Sequence, residues 1–220
     1  MRERHVFREY LESLLVALII ALLLRTFVVA AYKIPTGSMI PTLKIGDCLF
    51  AYKIPFGVRI PFTKNNLIAP RMPRRGEVIV FRYPEDESLS FIKRVVGLPG
   101  DKIEIKQKHL FINDKMADYE PTTNETIGDV PNKDLYLVQK EGFDGQWHQV
   151  MFRRGDDFDD YGPEVVPSGH LFVLGDNRNN SSDSHSWGLL PMDKVIGRAI
   201  VSYWPPSEWR IISNPVAASP

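Results

Sequence analysis

The chain has 220 residues, 44% of them hydrophobic and 11% aromatic, and its 27 basic and 27 acidic side chains cancel to a formal net charge of zero. Such a composition packs a globular core and excludes a disordered chain, and at this length the core is one sizeable domain with an appendage. The balanced charge leaves no bulk field for nucleic acid or acidic substrates, and a single cysteine, Cys48, excludes an intramolecular disulfide and any multi-cysteine zinc or iron–sulfur site.

Residues 13–31, SLLVALIIALLLRTFVVAA, carry one charge, Arg25. As a helix rising about 1.5 Å per residue they reach roughly 28 Å, close to the hydrocarbon thickness of a bilayer. The unbroken run from Leu14 to Leu24 is shorter and also resembles the apolar part of a cleaved secretory signal, with Val29, Ala30 and Ala31 as the small residues of a cleavage site. Arg25 falls between that run and the site, which a cleaved signal avoids. In a retained anchor Arg25 reaches toward the headgroups while Phe27, Val28 and Val29 stay in the interface. The expectation is a retained transmembrane anchor over 13–31, in contact with membrane lipid, after a cytoplasmic N-terminus at 1–12. Arg2, Arg4 and Arg8 precede the span and Lys33 and Lys44 follow it closely, which favours that orientation.

Beyond the anchor the sequence reads as short strands. The runs 47–54 (DCLFAYKI), 76–83 (GEVIVFRY), 91–98, 102–113 and 170–176 are apolar, aromatic or alternating and are mostly bounded by Gly, Pro, Asp and Asn, with 194–204 a further candidate. No later stretch keeps a helical period with caps, and 17 prolines and 15 glycines punctuate the chain, so the soluble part is expected to be mainly β. Residues 114–169 are more polar and rich in turn residues. They read as an insertion between two parts of one core, 32–113 and 170–213, with a C-terminal tail at 214–220. The acidic cluster Asp156, Asp157, Asp159 and Asp160 lacks the alternating spacing and closing glutamate of a calcium loop, and reads as solvated surface.

Between the anchor and the first strand stands IPTGSMIPTL, Ile34 to Leu43, with Ser38 between a glycine and a methionine and fenced by Pro35 and Pro41. It is either a plain linker or a nucleophile held at the membrane surface. A serine hydroxyl attacks well only when a neighbouring base takes its proton. One source of a base is a histidine working with an aspartate, and Asp183 and His185 lie two apart on one side of an extended segment. The other is a neutral lysine. Lys93 lies in the apolar run FIKRVVGLPGD and, in a strand, faces opposite to Ile92 and Arg94. An ordinary lysine is neutral in roughly one molecule per few thousand at pH 7, and burial lowers its pKa because it penalises the ammonium form. The residues alone leave both choices open.

The hydrophobic span followed in order by IPTGSMIPTL, GDCLFAYK, RGEVIVFRYP, FIKRVVGLPGD and GDNRNNSSDSHSWGLLP resembles bacterial type I signal peptidase. The blocks cover most of the chain outside 114–169, and KRVVGLPGD together with GDNRNNSSDS is highly specific. The resemblance implies a membrane-anchored serine endopeptidase with a Ser–Lys dyad and no metal or organic cofactor, acting on signal-peptide-bearing preproteins after small residues at −1 and −3. It sets the anchor in the inner membrane of a bacterial cell as a single pass, with the catalytic domain outside the cytoplasm. Ser38 matches the nucleophile, Lys93 the general base, and Ser181 a residue that hydrogen-bonds and orients the lysine. Thr36 and the Ser38 backbone N–H match the oxyanion hole, and Asp183 a supporting aspartate. Ile34, Met39 and Leu43 are expected as apolar lining for the substrate, with the alternative that the last of these is core. At His185 the sequence departs from the family, where arginine is common, and Phe91 stands where some members carry tyrosine. The fold implied is a catalytic domain of coiled antiparallel sheets with a smaller inserted β domain.

Overall fold

A computed structural model describes residues 2–59, 66–127 and 130–212. The expected tail at 214–220, residue 213 and Met1 lie outside the described residues. Helix α1 (Arg2–Leu23) runs into a π-helical turn at Leu24–Val28 and then directly into β1 (Val29–Lys33). Further strands follow at Cys48–Tyr52 (β2), Val58–Arg59 (β3), Asn66–Ile68 (β4), Val78–Arg82 (β5), Ser90–Gly97 (β6), Lys102–Lys106 (β7), His109–Ile112 (β8), Lys115–Met116 (β9) and Asp118–Pro121 (β10). The remainder are Tyr136–Phe143 (β11), Gln146–Arg153 (β12), Tyr161–Val165 (β13), His170–Leu174 (β14), Leu190–Pro191 (β15), Val195–Trp204 (β16) and Arg210–Ile211 (β17), with a one-turn helix α2 at Ser184–Trp187. Mainly β is therefore the fold class, as the strand-like runs suggested.

The stretch Arg8–Val28 is long and apolar enough to cross a bilayer, and its large apolar side chains are exposed as far as Leu24, with Phe27 and Val28 half-buried. The helical span ends three residues earlier than the sequence suggested. Val29, Ala30 and Ala31 pair with Tyr52, Ala51 and Phe50 of β2, so the small residues that could have marked a cleavage site are sheet instead. Two β-branched residues in three, at Val28 and Val29, favour the extended backbone once a partner strand is there.

The large sheet has the strand order β1-β2-β16-β5-β6-β14-β15, with β17 on β16, and all its pairings are antiparallel. Register shifts in β16 against β2 and β5, and in β14 against β6, bend and curl it. Residues of β2 and β5 share a core with the segment after β1: Ile34, Met39, Leu43, Leu49, Val78 and Val80. A second sheet is ordered β13-β7-β8-β9 and a third β10-β11-β12. The strands at 102–106 and 109–112, which the sequence assigned to the catalytic core, pair with each other and with 161–165 rather than with the large sheet. The third sheet leans on the Ser38 turn, because Ile40 packs with Ile127, Val138 and Met151.

Candidate active site

Ser38 sits in the turn after β1, and Lys93 is the fourth residue of β6, opposite Ile79 of β5. The two meet because Tyr32 just ahead of the turn and Ile92 beside Lys93 pack on the same core cluster. Lys93 Nζ lies 2.7 Å from Ser38 Oγ. Its side chain is enclosed to 3% exposure, and the ring of Phe91 stands 5.7 Å from the nitrogen. Burial pushes the Lys93 pKa from 10.5 down to about 8, against the opposing pull of the Asp183 and Asp176 carboxylates. At pH 7 that leaves roughly a tenth of the molecules with a neutral amine, several hundredfold more than for an ordinary lysine. A neutral amine at that distance accepts the serine proton; this is the geometry a nucleophile and its base require.

The segment after β14 holds the turn from the other side. Asn177 donates its backbone N–H to the Ser38 carbonyl and its side-chain amide to the Gly37 carbonyl, both at 3.0 Å. Asp183 caps α2 and accepts from the Gly175 N–H at 2.8 Å and the His185 N–H at 3.2 Å. A side chain at Gly175 would meet the Ser181 hydroxyl, with Ser181 Cβ and the Ser38 carbonyl both at 2.6 Å. Asp176 is buried on Arg94, whose Nε and Nη2 lie 2.9 and 2.7 Å from its two oxygens, and it also accepts from the Thr42 hydroxyl. Arg178 reaches the buried Glu141 of β11 at 2.8 and 2.5 Å, so the insertion is tied to the same segment.

Some expected roles are placed differently. Ile34, Met39 and Leu43 have 4%, 2% and 0% of their surface exposed. They are core beneath the turn rather than walls of an open pocket, packed in one cluster with Leu49, Val78 and Val80. Ser181 is in the site, yet its hydroxyl is buried without a hydrogen-bond partner among the described residues, so it does not bond Lys93 here. Among the described residues neither the Thr36 hydroxyl nor the Ser38 backbone N–H has a hydrogen-bond partner, and Thr36 is exposed. The His185 ring stacks on Phe158 and contacts the Asp159 carbonyl at 3.0 Å, while only its backbone N–H reaches Asp183. A Ser–His–Asp arrangement is thus not formed. The sequence reading missed Asn177, Gly175, Arg94 and Glu141. The first three stand in the quoted blocks, but nothing in their spacing shows which way they bond.

The sequence matches the family described as Signal peptidase, peptidase S26, over residues 7–204. The chain belongs to that family. The signal peptidase I of Pseudomonas fluorescens is 36% identical over 214 residues, covering 90% of this chain and 73% of that protein. The signal peptidase I of Pseudomonas aeruginosa is 35% identical over 219 residues, covering 94% and 76%. The crystal structure of a signal peptidase I from Enterococcus faecalis aligns at a TM-score of 0.38 and 26% identity, over 58% of this chain and 97% of that one. The chain is accordingly an S26 peptidase.

Proposed function

We propose that this S26 peptidase removes N-terminal signal peptides from exported preproteins, with Ser38 as nucleophile and neutral Lys93 as general base. The observation that carries the reading is the 2.7 Å approach of the enclosed Lys93 amine to the Ser38 hydroxyl. Lys93 takes the hydroxyl proton as Ser38 Oγ attacks the scissile carbonyl. The oxyanion meets the Ser38 N–H and the Thr36 hydroxyl, two donors free of other partners, and losing one such donor typically lowers the rate about 10²–10³-fold. The Lys93 ammonium then gives its proton to the leaving amine. Lys93 next deprotonates a water that frees the acyl group from Ser38. Ser181, with its unpaired hydroxyl, is the group that steadies the ammonium between these transfers, and Asp183 keeps that segment in place.

Two open strand edges supply a docking mode for the substrate. Among the described residues β1 pairs on one side only, and β14 pairs with Arg94, Val95 and Gly97 of β6, so Ser90–Lys93 has β5 alone as neighbour there. An extended peptide laid between these edges hydrogen-bonds through its backbone and needs no particular side chains, apart from small ones at −1 and −3 beside the packed floor. Arg8–Val28 anchors the enzyme in the bacterial inner membrane, N-terminus in the cytoplasm, so the site faces the side where a preprotein emerges.

The test is cleavage of a preprotein by the full chain in phospholipid vesicles, with the new N-terminus identified by mass spectrometry. Ser38→Ala and Lys93→Ala should each abolish cleavage while the protein remains folded, and His185→Ala should leave it nearly intact. Near-normal turnover by Lys93→Ala removes the dyad.

A further inference from the structure

The two residues after Ser38 pack into different cores. Met39 joins Ile34, Leu43 and Leu49 beneath the turn, whereas Ile40 joins Ile127, Val138 and Met151 of the third sheet and the turn before it. Val138 and Met151 are register partners on β11 and β12, and neither has more than 1% of its surface exposed. The same Met151 holds the turn by a second route. Its backbone N–H donates to the Asp176 carbonyl at 2.8 Å, and it is bridged in parallel to Asn177. Asn177 in turn donates from its backbone and its side chain to the Ser38 and Gly37 carbonyls, both at 3.0 Å. Within the turn the backbone supplies little, Ile40 N–H donating to the Gly37 carbonyl at 3.2 Å and Leu43 N–H to the Met39 carbonyl at 2.8 Å. A turn with so few bonds of its own takes its position from what it is packed against. Lys93, by contrast, is carried by β6 and paired with Ile79 of β5, so base and nucleophile are held by different elements.

We infer that the third sheet sets the position of the nucleophile: Ile40 and Met151 are a positioning pair that keeps the Ser38 hydroxyl against the Lys93 amine. The inference rests on the proposed roles of Ser38 and Lys93, and not on the identity of the substrate. The hydroxyl has to stay within hydrogen-bond reach for its proton to pass, and reacting groups misplaced by about 1 Å lose about 10²-fold in rate. A dense core transmits a change of volume, because the surroundings of a deleted side chain close the gap only in part. A gap at Met151 is therefore felt at Ile40, two residues from Ser38. The lysine lies outside that contact. Phe91, whose ring stands beside the amine, packs with Phe81, Val95 and Leu171 in a cluster that contains neither Ile40 nor Met151. Loosening the pair thus moves the hydroxyl and leaves the amine as dry as before. Neither side chain carries a group that takes part in proton transfer; both act through the Ser38 turn.

The experiment uses the full chain in phospholipid vesicles with a p-nitrophenyl ester, whose acyl group passes to Ser38 Oγ as p-nitrophenolate leaves, and runs beside cleavage of a preprotein. Acylation of Ser38 is timed by mass spectrometry. Its rate constant is the readout, since an unfolded fraction lowers the amplitude and not the rate constant. Met151→Ala and Ile40→Ala should each slow acylation about 30- to 100-fold and lower kcat on the preprotein alike, with KM within about threefold of wild type. Met151→Leu, which conserves volume, should recover at least about a third of the wild-type rate. The double alanine variant should be slower than the slower single one by no more than about threefold, because both open one contact. The break in the pH–rate profile should stay near 8 throughout, as the surroundings of the amine are unaltered. Leu110→Ala, a comparable gap in the core of the second sheet, should stay within about twofold of wild type. Ile40→Val removes one methyl group and should slow acylation about fivefold, which decides the matter if the alanine variants do not fold. Wild-type acylation rates in Met151→Ala or Ile40→Val overturn the inference, as do an equal loss in Leu110→Ala, no recovery in Met151→Leu, single effects that multiply in the double variant, or a break moved toward 10.5. If wild type is acylated at Ser38 yet cleaves no preprotein, the proposed function falls and the variants still judge the positioning pair; if Ser38 is not acylated at all, both fall together.

Discussion

Lys93 is held where its charged form is penalised, and the direction of that penalty fixes two pH dependences. In the proposed role of base it works only when neutral, so kcat/KM should rise about tenfold per pH unit up to the Lys93 pKa near 8 and level off above it. A rate flat from weakly acidic to alkaline pH contradicts this. Stability follows with its own sign. The folded pKa near 8 lies below the ordinary 10.5, so the unfolded chain binds more protons between those values and stability increases with pH across that window. Below pH 8 the full penalty of about 3 kcal/mol is present. Lys93→Met should therefore be inactive yet about 1–3 kcal/mol more stable than wild type at pH 7, with the gain shrinking by pH 10, as read by denaturation in detergent. A variant less stable than wild type at both pH values sinks the claim of a buried, uncompensated amine. Gly175 gives the second expectation at this scale. A methyl group there runs into Ser181 and the Ser38 carbonyl, so Gly175→Ala should lower kcat by about 10²-fold or more through displacement of the Ser38 turn. An unchanged kcat speaks against the close approach. Ser38 stood out between two prolines only as either linker or nucleophile, and Lys93 from its chemistry only as an option, since whether a strand lysine is dry depends on packing that the chain order does not contain.

Strands and turns decide how the site is held. Among the contacts that join β10–β12 to the segment after β14 is a buried ion pair, Glu141 of β11 with Arg178, where the Tyr119 hydroxyl also donates to Glu141 at 2.7 Å. The neighbouring Arg178 and His148 hold the Glu141 pKa far below the carboxylate range in spite of its burial. Its depressed pKa means that the stabilisation is present above the unfolded value near 4.5 and lost as pH falls below it. Glu141→Ala leaves the guanidinium buried without its partner and should destabilise the protein by about 3–5 kcal/mol at pH 7. Replacing Glu141 by Leu together with Arg178 by Met should be much milder, and equal effects in the two proteins would contradict an ion-pair origin. Sequence reading missed β11 and β12 because 114–169 is polar, yet one signal was there. Asp144–Gly145 separates the two runs, and both residues have positive φ, 51° and 75°, as a two-residue hairpin turn demands. The end of the anchor was misread for the opposite reason: an apolar run reads as helix or as strand equally well until a partner such as β2 is known.

For the molecule as a whole, the order of blocks in the sequence carried the family and the β class. The partners of β7 and β8 were not legible, because these strands look like any other alternating strands and only their pairing with β13 sets them apart from the large sheet. Pairing between residues about sixty apart leaves no local trace. Function at this scale depends on confinement. An enzyme held by Arg8–Val28 and a preprotein held by its own apolar segment meet in the plane of one bilayer, so their effective concentration scales inversely with the lipid area they share. At fixed amounts of both proteins, tripling the lipid in co-reconstituted vesicles should slow preprotein cleavage about threefold, while a soluble peptide, which reaches the site from bulk water, is cleaved at an unchanged rate. The peptide arm guards against a trivial loss of active enzyme at higher lipid. If added lipid leaves both rates unchanged, preprotein and enzyme are meeting through water, and the helix that leads into β1 is not acting as the anchor of the catalytic site.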